Sequence, residues 1–180
     1  MKRGTLIALA VGSAGALWLY RRNRAATGAP DRPGMPIEVD GAPTLTRHGH
    51  YGARREGPPT HRHQGIDLIA PPGSRVLAVG DGVIVRANAG LGRIVRKLRL
   101  DAPAAWNASG RRVDTIVYAD LGVPLVRPGD RVRKGEAIAL VDKAGFVHFA
   151  VKETRPEGEV FFDPKEAGFA YLVESRPLAS

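Results

Sequence analysis

The 180-residue chain is 43% hydrophobic and 25% charged, so it has room for one domain with appendages and enough apolar material for a core. It contains no cysteine, which excludes disulfides, thiolate metal sites, a cysteine nucleophile and a lipidated N-terminal cysteine. The formal charge of +9 invites a nucleic-acid partner, but five of the 27 basic residues lie before residue 26, where no acid occurs; beyond it 22 basic face 18 acidic residues, an excess that suits an anionic surface such as a cell wall or phospholipid headgroups rather than nucleic acid.

Lys2 and Arg3 precede an uncharged run over 5–20, which Arg21, Arg22 and Arg24 close. As a helix the run reaches about 24 Å, short of a hydrocarbon core of about 30 Å unless the flanking arginines snorkel. Ala14, Gly15 and Ala16 offer a cleavage site for a signal peptide. Leu17, Trp18, Leu19 and Tyr20 carry the apolar run past them and favour an uncleaved anchor, with Trp18 and Tyr20 suited to the interface. Residues 1–25 are therefore read as a membrane anchor or signal segment, with 5–20 in the inner membrane. Positive-inside counting conflicts with export, since the stronger basic cluster follows the run. The expectation is nevertheless a domain on the periplasmic or extracellular side.

Residues 26–45 carry Gly, Ala, Pro, Asp and Arg with little periodicity and read as a linker. Short apolar stretches then alternate with turn signals. Strands are expected at 74–79, 82–86, 92–100, 113–118, 137–141 and 146–151, with a hairpin connection over 101–110 and turns at Pro128-Gly129-Asp130 and Lys134-Gly135-Glu136. The class is mainly β, an antiparallel barrel-sandwich-like sheet domain over 46–175, with an N-terminal membrane helix.

The stretch His63-Gln64-Gly65-Ile66-Asp67 sets an imidazole and a carboxylate four residues apart, and both are good zinc ligands. If it enters a strand, the two side chains share a face, with Gly65 leaving room between them.

From His63 through Asp67-Leu68-Ile69-Ala70-Pro71-Pro72-Gly73 to Val83-Ile84, the chain resembles the lysostaphin-type (LytM-like) zinc endopeptidases, which cleave peptides of peptidoglycan. Tyr51-Gly52-Ala53-Arg54 resembles that family's aromatic-Gly-x-Arg lead-in. Val117-Tyr118-Ala119, the 128–136 turn and Val147-His148-Phe149 follow in its order. The resemblance implies a zinc cofactor held by His63, Asp67 and His148. It also marks two departures. The family's catalytic histidines fall at Asp120 and Phe146, and the glutamate after the closing His-Phe falls at Ala150. Phe146 can move no proton, whereas Asp120 is a candidate base, carboxylates beside zinc serving so in H-E-x-x-H peptidases. His48, His50 and His61 are further candidates to stand in for a lost histidine, or are surface residues.

Three functions stay open on sequence grounds. The first is a peptidoglycan endopeptidase, slowed or with Asp120 as an altered base. The second is an inactive zinc-binding regulator or wall-binding module, whose partners would be peptidoglycan peptides or a partner cell-wall hydrolase. The third is a lipoyl- or biotinyl-type carrier with Lys143 as the attachment point, which leaves the two histidines and the aspartate without a purpose.

Overall fold

The computed structural model describes residues 33–40, 43–56, 60–86, 89–90, 93–106 and 110–173. The expected membrane segment at 5–20 lies outside them, as does much of the expected linker. Among the described residues no helix is long and apolar enough to cross a membrane.

The strands in chain order are β1 (Thr44–Leu45), β2 (Arg54–Arg55), β3 (His61–Arg62), β4 (Ile66–Ile69), β5 (Arg75–Leu77), β6 (Gly82–Arg86), β7 (Ala89–Gly90), β8 (Arg93–Ala104), β9 (Val113–Pro124), β10 (Arg131–Val132), β11 (Ala137–Val141), β12 (Phe146–Arg155) and β13 (Gly158–Phe162). A helical turn, Lys165–Phe169, and a short α-helix, Ala170–Val173, follow. The main sheet runs β1-β4-β12-β9-β8-β6-β10, with β13 beside β12, β7 beside β8, and β11 joining β5 to β9. β2 and β3 form a separate hairpin. Every pairing of the named strands is antiparallel.

Alternation along the strands decides what faces the core. In β12, Val147, Phe149 and Val151 are buried in the core, so His148, Ala150 and Lys152 take the other face. The same division puts Ile116 and Tyr118 of β9 inward and Thr115 and Val117 outward. The Phe149 ring meets Tyr118 and Phe169 edge-on, with centroids 5.6 and 4.9 Å apart. Trp106 closes over Phe169 at 5.5 Å. Gly168 permits that closure: it adopts φ 97°, and a Cβ there would stand 2.6 Å from the Trp106 Cβ.

β6 and β11 match their expected limits, while β5 is shorter than expected. β8 continues to Ala104 and takes up the first part of the expected 101–110 loop, its pairing with β9 shifting register between Arg99 and Ala104. β9 extends to Pro124 and β12 to Arg155. β13 was not foreseen, because only its second half, Val160 to Phe162, is apolar.

Tyr118 is fully buried, and its hydroxyl accepts the backbone N–H of buried Val79 at 3.0 Å. Burial pushes its phenol far above the ordinary tyrosine range, so it stays neutral. Tyr118→Phe leaves that N–H unsatisfied and should cost about 1–3 kcal/mol by chemical denaturation, with no change in fold.

Candidate metal centre

Two neighbouring strands supply two of the three donors. Asp67 on β4 stands directly opposite His148 on β12, and His148 stands opposite Ala119 on β9. Ile66, Leu68, Val147 and Phe149 are buried in the core, so Asp67 and His148 emerge together on the opposite face.

His63 arrives differently from the strand alternation expected of it. It lies in the connection between β3 and β4, outside either strand. Backbone bonds hold it there: Gly52 N–H donates to the His63 carbonyl, and His63 N–H to the Ala53 carbonyl, both at 2.8 Å. The ring Nδ1 donates to the His50 carbonyl at 3.0 Å, which turns Nε2 toward the site. Such outer partners fix the ring orientation and tautomer of metal-binding histidines.

The donor atoms converge. His63 Nε2 lies 2.9 Å from His148 Nδ1 and 3.2 Å from Asp67 Oδ1, and His148 Nδ1 lies 3.1 Å from the same oxygen. Tetrahedral zinc with bonds of about 2.0–2.1 Å separates its ligand atoms by about 3.3 Å. The trio needs to open by only a few tenths of an ångström to fit such an ion, with a fourth position left for another ligand. Gly65 makes the packing feasible: a Cβ there would lie 2.6 Å from both the His148 Cε1 and the Phe149 carbonyl oxygen.

Burial alone would raise the Asp67 carboxyl, but hydrogen bonds from His148 and His63, the charge of His63 and the Arg55 guanidinium outweigh it and hold Asp67 well below the ordinary carboxylate range. Arg55, on β2, grips Oδ2 and leaves Oδ1 to the histidines. Arg55 escaped the sequence reading, which attached its motif to the exposed Arg54. An Arg-Arg pair on a two-residue strand puts one side chain toward the site, but nothing in the pair says which.

A groove of about 410 Å³ opens over these residues, with Arg55, His61, Asp120 and Phe146 also on its walls. Asp120 sits in a β-bulge: Tyr118 faces Arg96 and Leu121 faces Ile94, so three steps on β9 match two on β8. Its φ of 58° is the only left-handed value among the described non-glycine residues. Bulges of this kind re-aim a side chain, and aspartate tolerates the conformation better than most residues. Asp120 and Phe146 therefore line one groove with His148. Among the other histidines, His61 lines the groove and His50 contributes only its carbonyl, while His48 is exposed. Lys143 is exposed in the turn between β11 and β12.

Two consequences are measurable. Gly65→Ala should displace the His148 ring and lower zinc affinity by 10-fold or more, read by competition with a chromogenic chelator. Because the folded carboxyl of Asp67 is depressed, its contribution to metal-free stability is full above the ordinary carboxyl value near pH 4 and is lost as pH falls below it. Arg55→Met should raise the Asp67 pKa, followed by carboxyl 13C titration, and shrink that acid-side loss.

Residues 61–161 match the family described as Peptidase family M23. Among solved structures, a zinc-containing peptidase from Vibrio cholerae is 22% identical, with a TM-score of 0.50 over 72% of this chain and 39% of that one. The antimicrobial peptidase lysostaphin from Staphylococcus simulans is 19% identical, with a TM-score of 0.51 over 73% of this chain and 52% of its own. A chain from the complex of SpoIIIAH and SpoIIQ is also 19% identical, with a TM-score of 0.57 over 74% and 97%. This chain thus spans 39% and 52% of the first two proteins, and at these identities the likeness is one of fold. The family match covers more than half of the sequence, and the chain belongs to peptidase family M23.

Proposed function

We propose that the protein is a zinc-dependent endopeptidase acting on the peptides of bacterial peptidoglycan, with an altered proton-handling set. The observation that carries this reading is the convergence of His63, Asp67 and His148 on one point at the floor of an open groove. Anchored through residues 5–20, the domain would work on the periplasmic or extracellular side of the inner membrane.

His63, Asp67 and His148 would hold the metal. Zinc bound there supplies a Lewis acid for a peptide carbonyl and lowers the pKa of a water. Asp67 stays ionised because two imidazoles and Arg55 surround it. Asp120, on the groove wall, takes the proton of the attacking water on a carboxylate oxygen and returns it to the leaving amine. Phe146 contributes shape and no proton. Losing a general acid–base group costs about 10²–10⁴-fold in rate, and losing an oxyanion donor about 10²–10³-fold, so turnover is slow by the standard of a two-histidine enzyme.

A second reading is favoured by the same two positions. With Asp120 and Phe146 in place of histidines, the groove would hold a wall peptide, or engage a partner cell-wall hydrolase, without cutting. The structural neighbour taken from a complex of two proteins is compatible with such a role.

The readings separate in one assay, release of soluble muropeptides from peptidoglycan by the zinc-loaded protein. A chelated sample and His148→Ala serve as controls. Release that needs both zinc and His148 identifies an enzyme; none from folded, zinc-loaded protein identifies a binder or regulator. Asp120→Gly should abolish release while leaving the fold intact, since glycine accepts the left-handed backbone. Asp120→His combined with Phe146→His should raise hydrolysis by about 10²-fold or more.

A further inference from the structure

The face of the sheet that carries Asp67 and His148 continues beyond them. Two residues along β12 from His148, Ala150 stands opposite Val117 of β9, which stands opposite Lys97 of β8. Two residues further, Lys152 stands opposite Thr115, which stands opposite Arg99. Directly opposed residues share a face, so Lys97, Arg99 and Lys152 lie on the same side of the sheet as the donor trio. Small or short side chains, Ala150, Val117 and Thr115, floor the surface between them, and all three are buried.

The charges of this strip do not balance. Lys152 is only 2% exposed, and its ammonium pairs with Glu159 on β13. Lys97 donates to the same Glu159 oxygen at 3.3 Å. Arg99 is exposed, and its guanidinium has no ion-pair or side-chain hydrogen-bond partner among the described residues. Two lysines thus share one carboxylate beside an exposed arginine, and one of the lysines is almost wholly withdrawn from water. Such a surplus draws an anion, and a partly desolvated ammonium binds one more strongly than a hydrated one does.

We propose that Lys97 and Arg99, backed by Lys152, form a carboxylate-binding station on the sheet face that carries the donor trio, beyond the residues that wall the groove, selecting peptides with a free acid group. The proposal rests on the reading of the groove as a peptide site and adds its substrate class. At about 3.3 Å per residue, Lys152 lies about 13 Å along β12 from His148. A peptide laid extended over this face along the direction of β12 would therefore carry its acid group about four residues from the bond lying over the donor trio. The counterion Glu159 keeps Lys152 tolerable in the absence of ligand, and the charge left over on Lys97 and Arg99 does the recognising.

The test uses the full chain loaded with zinc, made non-hydrolytic by Asp120→Asn if needed, and calorimetric binding of two probes. These are a wall stem tetrapeptide with its free carboxylates and the same peptide fully amidated. The free acid should bind about 10-fold more tightly, by a margin that shrinks in high salt. Lys97→Gln and Arg99→Gln, whose side chains are partly or fully exposed, should remove the preference for the acid while leaving binding of the amide unchanged. Equal binding of the two probes overturns the station alone, and binding of neither overturns the peptide groove with it. Stronger displacement by poly(glycerol phosphate) than by the free acid peptide assigns the strip to a polyanionic polymer and overturns the carboxylate reading.

Discussion

The molecule depends on one register. Across β4, β12 and β9 the rung Asp67–His148–Ala119 must line up, because each strand fixes its side chains with period two. A slip of one residue would carry Asp67 and His148 into the core and drive Ile66, Leu68, Val147 and Phe149 out to the groove. The aromatic packing of Phe149 against Tyr118 and Phe169 opposes that slip far more strongly than the polar face could. The position of the candidate metal centre is thus set from behind, by apolar side chains on the other face of the sheet.

Only His63 escapes this control. It is held by loop hydrogen bonds from Gly52, to Ala53 and to the His50 carbonyl. The site therefore has two donors on the sheet and one on a connection that three hydrogen bonds hold in place. The separations of 2.9–3.2 Å among the three donors need only a small outward shift to reach the spacing of tetrahedral zinc.

Much of this was legible in the sequence, for identifiable reasons. The apolar run over 146–151 announces a core strand, the family resemblance marks His148 within it, and the His63–Asp67 spacing with Gly65 announces two donors with room between them. Limits such as those of β6 and β11 could be read because glycine or charged turns flank them. The bulge at Asp120 could not be read, since it arises from a mismatch of lengths between β8 and β9 that neither strand encodes alone. β13 was hidden by its polar first half, which is a strand only because β12 offers an edge. Arg55 was hidden for a similar reason: its reach toward Asp67 depends on where the β2–β3 hairpin sits, a tertiary fact.

Arg55 also bears on why the centre keeps a vacant coordination position in the proposed enzyme. A carboxylate with both oxygens free can chelate an ion and fill the place that a catalytic zinc reserves for water or substrate. Here one oxygen of Asp67 is held by a guanidinium, so only Oδ1 faces the histidines. The same contact adds a positive charge beside the ion, which weakens the hold on zinc but favours any negative charge developing on a substrate carbonyl in the groove. In a groove where Phe146 supplies no hydrogen-bond donor, that cation is one group that could offset part of the loss. The arginine that holds one oxygen of Asp67 and the apolar Phe146 thus belong to one groove, and in the proposed enzyme the charge of the first bears on what the second cannot supply.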